Sequence, residues 1–492
     1  MRFPAAANPF LTGLVPVSFL VFLILLQGGC GNPFIRKFLE EEAPARTEET
    51  AAETEGPAGK AELAGLSLGN KALVLVPGLY NYTTEYHSPA PAPLSVAFTL
   101  KTGQELVISL NGTVLPIITE PVASVSGIPQ WGTNTMEITV TSADGTIRRT
   151  YTITFDYGFR VHVAPWGDDG AAGTRNVPLA TVAAAQAAIQ AAYGPNWPGV
   201  YQTAGAFPAW IIIHGEINGE HAGTEGMIKF TDSAIYRDYP PVILEGIDNS
   251  GNNRINAAGK DNRVLYVHRT SVTLGKGLTL TGGVRNTGAG VYVAVDGKFT
   301  LTGGTVSGNH VTGDGGGVHV NYGSFLMTGG TITGNFAEGY GGGVTTTGGS
   351  IALAGGLISG NHANGGAGGG VRLTGGTDFS MTGGIIMDND AHTNGGGVFV
   401  GGTAGTSLTM SGGVISGNTA VIRGGGVYVG SDGTFTKNGG VIYGLDAAED
   451  LKNIAGTDGH AAYAVTGKIR TNTAGPGTSM DSAVSGPPGG WD

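Results

Sequence analysis

Cysteine is all but missing: Cys30 is the single one in 492 residues, so no intrachain disulfide can form. Positive charge is scarce as well, with 26 Lys and Arg against 37 Asp and Glu and a net charge of -11 at pH 7. That balance excludes nucleic acid, whose binders carry basic patches. It also argues against electrostatic attachment to anionic lipid. Charged residues are 13% of the chain, and long apolar runs are confined to one stretch, from about Leu11 to Leu26. Glycine is the opposite case, with 89 copies that fall into a pattern.

The first 30 residues read as a targeting segment. Arg2 precedes the apolar run, and LQGGC follows it. A short apolar core followed by small residues is a secretory signal. Gly28, Gly29 and Cys30 resemble a bacterial lipobox, which implies a lipid on Cys30 and a membrane anchor. Gln27 departs from the small or aliphatic residue usual there, so a membrane-spanning anchor or an unlipidated signal is the competing reading. In residues 31–62, seven Glu lie among Ala, Thr and Pro between Glu40 and Glu55, and Glu62 follows. Low hydrophobicity with high charge predicts a disordered acidic linker.

The chain is organised around Gly282 to Gly440, where one phrase returns. It reads TGGTVSGN at Thr302–Asn309, TGGTITGN at Thr328–Asn335 and AGGLISGN at Ala354–Asn361. It recurs as TGGIIMDN at Thr382–Asn389 and SGGVISGN at Ser411–Asn418, so that the closing Asn is spaced by 26, 26, 28 and 29 residues. A second phrase, GGGV-x-V or a close variant, lies between copies and ends at Val320, Thr346, Leu373, Val400 and Val429. Self-similarity at this period signals stacked repeats.

Each repeat holds three short alternating runs, the strand signal, punctuated by Gly pairs and Gly-Asn corners. Three strands and three corners predict one coil of a parallel β-helix, with coils about 4.8 Å apart. Stacking then places Asn309, Asn335, Asn361, Asn389 and Asn418 in a structural ladder of amide hydrogen bonds. Phe299, Phe325, Ile351, Phe379 and Leu408 form one inward column. Val306, Ile332, Ile358, Ile386 and Ile415 form another. These phrases resemble the right-handed β-helix (pectate-lyase-like) superfamily over roughly Phe159 to Val465. They look most like the repeats of bacterial surface β-helix proteins, including polymorphic outer-membrane proteins. The resemblance implies a fold and no single function, since enzymes, adhesins and structural spikes share it.

Residues 63–157 carry short apolar runs separated by Pro77-Gly78, Asn111-Gly112 and Asp144-Gly145, which predicts a small β-sandwich. Tyr86, the SLNG at Ser109–Gly112, the WGTN at Trp131–Asn134 and the run ITVTSADGTIRRTYTITF ending at Phe155 resemble the bacterial cadherin-like family. That resemblance implies a spacer or adhesion module; the calcium-junction motifs of true cadherins are absent, so no metal is expected. The β-helix occupies 158–470 and an irregular tail 471–492. Leu179, Val182, Ile189 and Tyr193 share a helical face, Pro178 suits the first turn and Gly194 the stop, so an N-terminal helix is expected to cap the first coil. After Gly440 the repeat decays, with a short helix expected at 447–452. An outward column of Thr305, Thr331, Leu357, Ile385, Val414 and Val441 turns apolar, and the segment after Leu445 is expected to cover it.

Candidate chemistry is sparse. Asp388 and Asp390 share a corner, with Arg372 one coil earlier, and Asp168 and Asp169 precede the cap; all read best as solvated loop residues. His310 and His362 lie two coils apart, about 9.6 Å, too far to share a zinc ion. The sharper candidate is the middle residue of each GGGV-x-V phrase, which points outward: Tyr292, His319, Thr345, Arg372, Phe399 and Tyr428. Rings repeating every ~4.8 Å would make a platform for stacking sugar rings; outward β-formers chosen for propensity are the plainer alternative.

The expectation is an all-β monomer: a small β-sandwich, then a right-handed parallel β-helix with an N-terminal capping helix. It would sit in the bacterial cell envelope as a lipoprotein, at the outer membrane facing outward or in the periplasm. The expected function is non-catalytic adhesion or surface binding through the β-helix face, to glycans or to a host or neighbouring surface protein, without cofactor. A lyase or hydrolase acting on acidic polysaccharide is the rival, and a passive spacer the third reading.

Overall fold

The computed structural model describes residues 61–471 apart from internal stretches, the longest being 194–207, 219–227 and 232–240, and then Val484–Ser485. The signal segment with Cys30, nearly all of the linker, and most of the tail lie outside the described residues. Among the described residues, those from Ala61 to Ala447 and from Lys452 onward form one compact unit.

This unit is nearly all β and contains a right-handed parallel solenoid of about seven turns. A regular coil has four strands rather than the expected three: for example Gly323–Met327, Thr331–Thr333, Phe336–Ala337 and Val344–Thr346. The extra strand is only two residues long, too short for alternation to be read from sequence. It stacks with its equivalents into a seven-stranded sheet.

Both inward columns run in register. Phe299 pairs with Phe325, then Ile351, Phe379 and Leu408, and Phe435 continues the column. Val306 leads likewise to Ile332, Ile358, Ile386 and Ile415. All ten side chains of those two columns are at most 4% exposed, and each contributes about 1.5–3 kcal/mol of transfer free energy.

The glycine triplet has two separate jobs, seen in the coil at Gly341–Gly343. Gly341 has φ +68, a conformation costly for side chains with a Cβ. Gly342 has ordinary φ, but a Cβ there would lie 2.5–2.6 Å from the backbone of His362 in the next coil. The corner strand therefore packs backbone to backbone against the triplet. The Asn amide fills the space beside it: Asn361 Nδ2 donates to Asn389 Oδ1 at 2.9 Å and to Ile332 O at 3.0 Å. Its Oδ1 accepts from Asn335 N at 3.1 Å and Nδ2 at 2.9 Å.

In the N-terminal β-domain, one four-stranded sheet contains Gly65–Leu68, Lys71–Leu73, Leu94–Thr99 and Val122–Gly127. Leu66 and Phe98 from this sheet share a core with Ile108, Ile138, Ile153 and Phe155 of the other. The second sheet does not end at the domain edge. Strand Arg148–Val163 pairs antiparallel with Gly132–Thr141 through residues 148–157, then parallel with Ala209–Ile213 through 159–163. One sheet of 15 strands thus runs from the N-terminal β-domain into the solenoid. Phe155 and Tyr157 serve one core, and Val161 and Val163 the other.

The cap helix is Val182–Tyr193. It begins later than expected. Asp169 accepts from the N–H groups of Ala180 and Thr181 at 2.9 and 2.8 Å, and Thr181 Oγ1 accepts from Ala184 N at 3.1 Å. Thr181 is therefore the N-cap, and Pro178 lies before it. Val182, Ala185 and Ile189 are buried in the solenoid core, together with Leu179 ahead of the helix.

The other end corrects the expected decay. Residues 447–452 contain turns and no helix. The described segments after Leu445 then add to the stack instead of lying on the apolar outward column. Ile454–Ala455 pairs with Thr419–Ala420, Ala462–Ala464 with Val427–Val429, and Lys468–Thr471 with Thr434–Lys437. Asn453 joins the Asn ladder, accepting from Asn418 Nδ2 at 2.9 Å.

Lys437 takes the inward place above Met410 and is wholly buried. Its ammonium donates to Gly440 O at 2.8 Å. Burial pushes its pKa below 10.5. With the folded pKa lowered, the unfolded state binds the proton more tightly. The penalty is full below the folded pKa and fades as pH rises through it toward 10.5. Lys437→Met should raise stability at pH 7 by about 1–3 kcal/mol and flatten the alkaline rise. A variant that melts no higher than the parent would mean that the carbonyl satisfies the ammonium.

Candidate functional site

The outward residues of the GGGV-x-V phrases form one column. Tyr292, His319, Thr345, Arg372, Phe399 and Tyr428 pair in sequence across adjacent strands. Tyr266 extends the column below and Tyr463 above. The rings stack on each other: Tyr266 on Tyr292 at 5.6 Å and 3°, Phe399 on Tyr428 at 5.2 Å and 8°, Tyr428 on Tyr463 at 5.5 Å and 9°. Near-parallel rings at that distance occupy each other's faces. The column therefore presents ring edges and tyrosine hydroxyls, and not the row of open faces that a sugar-stacking platform requires.

Nor is the column evenly open. His319 and Thr345 turn away from the core yet are 5% and 0% exposed. Gly315 and Gly341, both at positive φ, fold the preceding segments against them. The result is a trough with residues such as Asp314 and Tyr340 on one wall and Asn321 and Thr347 on the other.

The middle of the trough holds a polar cluster drawn from four coils. Arg372 Nη1 bonds Asp314 Oδ2 at 3.1 Å, 58 residues away in sequence, and its guanidinium lies 4.3 Å from the Tyr340 ring centre. Asp314 Oδ1 accepts from Tyr340 N at 3.0 Å. Asn321 Nδ2 donates to Tyr292 Oη at 2.7 Å, and Thr347 Oγ1 donates to Asn321 Oδ1 at 2.9 Å. Burial lowers the His319 pKa to about 4, so its ring is neutral at pH 7. Two further guanidiniums flank the column: Arg263, 4.2 Å from the Tyr292 ring, and Arg423, 4.9 Å from Tyr463.

The remaining sequence candidates lie elsewhere. Asp390 is 3.6 Å from His362 and His310 is 3.3 Å from Glu338, all in half-exposed corner positions. Phe336 separates the two histidines in the stack. Asp388 takes a corner at φ +54, and Arg372 is engaged with Asp314 instead of with the two Asp side chains. Asp168 accepts from Gly170 N at 2.9 Å, while Asp169 holds the helix start. Near the shared strand, burial raises the pKa of Glu245, with Arg160, Lys276 and Asp156 around it. Arg160 bonds Asp156 at 3.1 Å and packs on Trp210 at 4.9 Å; both Arg160 and Trp210 are buried. Among the described residues no three His, Cys, Asp or Glu gather to hold a metal ion.

The sequence reading missed Asp314, Tyr340, Asn321, Thr347 and Tyr463. Tyr463 could have been found, since DGHAAYA at Asp458–Ala464 matches RGGGVYV at Arg423–Val429 in Gly and Tyr positions. Its spacing of 35 residues from Tyr428, against 26–29 in the other coils, disguised it. The others sit in corners, where no periodic signal operates.

Residues 247–441 match the family model described as a right handed beta helix region. That span contains the regular coils and most of the trough. No curated protein matches the chain. Among solved structures it is similar to a Yersinia enterocolitica Family 28 exopolygalacturonase. The likeness covers 79% of this chain and 88% of that one, at 11% identity and a TM-score of 0.16. A score that low carries no argument about function.

Proposed function

We propose that the chain is a non-catalytic surface-binding protein whose solenoid receives extended ligands, glycans foremost, along the trough. The observation that supports this is the in-register column of Tyr266 to Tyr463, in which rings and the Arg372 guanidinium recur on either side of the buried His319 and Thr345. Coils about 4.8 Å apart come near the repeat of a sugar chain. Hydroxyls and guanidiniums on the column would hydrogen-bond such a chain edge-on.

The test is binding of the full chain to a glycan array, beside a Phe399→Leu, Tyr428→Leu double variant that keeps apolar volume but removes the rings. Specific binding weakened in the variant is the expected result; an array with no bound glycan would sink the reading. In this proposal Cys30 carries the lipid that anchors the protein to the cell envelope. The intact mass of the membrane-extracted protein reads that directly, and a mass without acyl chains would refute it.

A further inference from the structure

On strand Arg148–Val163 only Gly158, Phe159 and Arg160 separate the core of the N-terminal β-domain from that of the solenoid. Tyr157 is fully buried in the first core, and Val161 is buried in the second. Domains of one chain ordinarily meet at an exposed, flexible linker and move relative to each other. Here an extended strand, hydrogen-bonded along its length, stands in the linker's place.

Side chains reinforce the backbone at this seam. Asp156, Gly158 and Arg160 project from one face of the strand. Asp156 pairs with Thr133 and Gly158 with His87, both in the N-terminal β-domain, while Arg160 pairs with Trp210 of the first solenoid coil. The Trp210 ring turns back across the seam. A Cβ at Gly158 would stand 2.2, 2.9 and 3.1 Å from three of its atoms, so the indole occupies the space that any side chain at 158 would need. The Arg160 guanidinium lies 4.9 Å from the same ring and bonds Asp156 Oδ2 at 3.1 Å, spanning Gly158. An aromatic ring of the solenoid is thus seated on backbone of the N-terminal β-domain, beside an ion pair with one member on each side of the seam. Trp210 and Arg160 are both buried, which strengthens the attraction between cation and ring.

We propose that Trp210 is a key that locks the N-terminal β-domain and the first solenoid coils into one cooperative unit, so that the two neither hinge nor unfold apart. The lock fixes the direction in which the rod, and the trough along it, leaves the N-terminal β-domain. It holds whether or not the trough binds glycan.

The experiment is amide hydrogen exchange of the full chain across a urea series, beside Trp210→Leu, Arg160→Met and Phe379→Leu. The last removes a buried ring within the solenoid, in a column where Leu408 already sits. In the parent, strands Gly132–Thr141 and Ala209–Ile213 should open together, with the same free energy and the same denaturant dependence. In Trp210→Leu and in Arg160→Met they should part, differing by about tenfold or more in exchange. Phe379→Leu should leave them together. A parent whose two strands already open separately, the one from Gly132 with a smaller denaturant dependence, overturns the cooperative unit and needs no variant to fold. Strands that stay together in both junction variants overturn Trp210 as the key.

Discussion

Asn361→Ala should lower stability by about 2–6 kcal/mol, the largest loss expected from a single polar side chain in the solenoid. The side chain is fully buried and lies within a ladder running from Asn309 to Asn453. Truncation orphans two buried donors, Asn335 N and one hydrogen of Asn335 Nδ2, which now bond Asn361 Oδ1. Each costs about 1–3 kcal/mol when left without acceptor or water. Asn361→Leu is no remedy, because the partners above and below stay polar. The measurement is a urea midpoint at pH 7 together with amide exchange. Protection should fall first in the coils flanking Asn361, since repeats are held mainly by their nearest neighbours. A loss under 1 kcal/mol would mean that water replaces the amide, and that the ladder is not what holds these coils.

Gly342→Ala should be at least as damaging, and a second glycine makes the reason testable. At Gly342 the added methyl would lie 2.5–2.6 Å from three backbone atoms of His362, which cannot move without separating the coils. At Gly334, φ is +60 and nothing lies within 4 Å of the added methyl. Gly334→Ala therefore meets only backbone strain, about 1–2 kcal/mol. A Gly342→Ala protein should lose its cooperative transition or fail to accumulate folded, whereas Gly334→Ala should fold with a modestly lower melting temperature. Equal behaviour of the two variants would show that the His362 backbone can give way, and that close approach of backbones does not explain the glycine at 342.

Much of the candidate site was legible because the repeat converts sequence spacing into spatial neighbourhood. Once Asn309 stacks under Asn335, every residue at the same offset must stack as well. The six column residues follow from that register alone, as do the inward Phe and Ile columns. Tyr463 and Asn453 escaped because the spacing from Asn418 to Asn453 stretches to 35 residues. The helix start escaped because it is set by Asp169, eleven residues upstream of Ala180. The two-residue strand at Phe336–Ala337 escaped because two residues carry no period.

The sequence by itself determined the period of the rod, the side each strand residue faces, and the glycine and asparagine corners. These depend on alternation within a strand and on identity between repeats, both local properties of the chain. Tertiary structure alone decided what those outward residues do. The tyrosines of the column spend their faces on each other because coils lie closer than two rings and a ligand could share. Arg372 crosses to Asp314 because the walls fold over Thr345. Strand Arg148–Val163 joins two cores because its edges pair differently along its length. The first two outcomes depend on corner residues outside the recurring Gly and Asn positions, such as Asp314 and Tyr340, and those residues carry no repeat from which their contacts could be read.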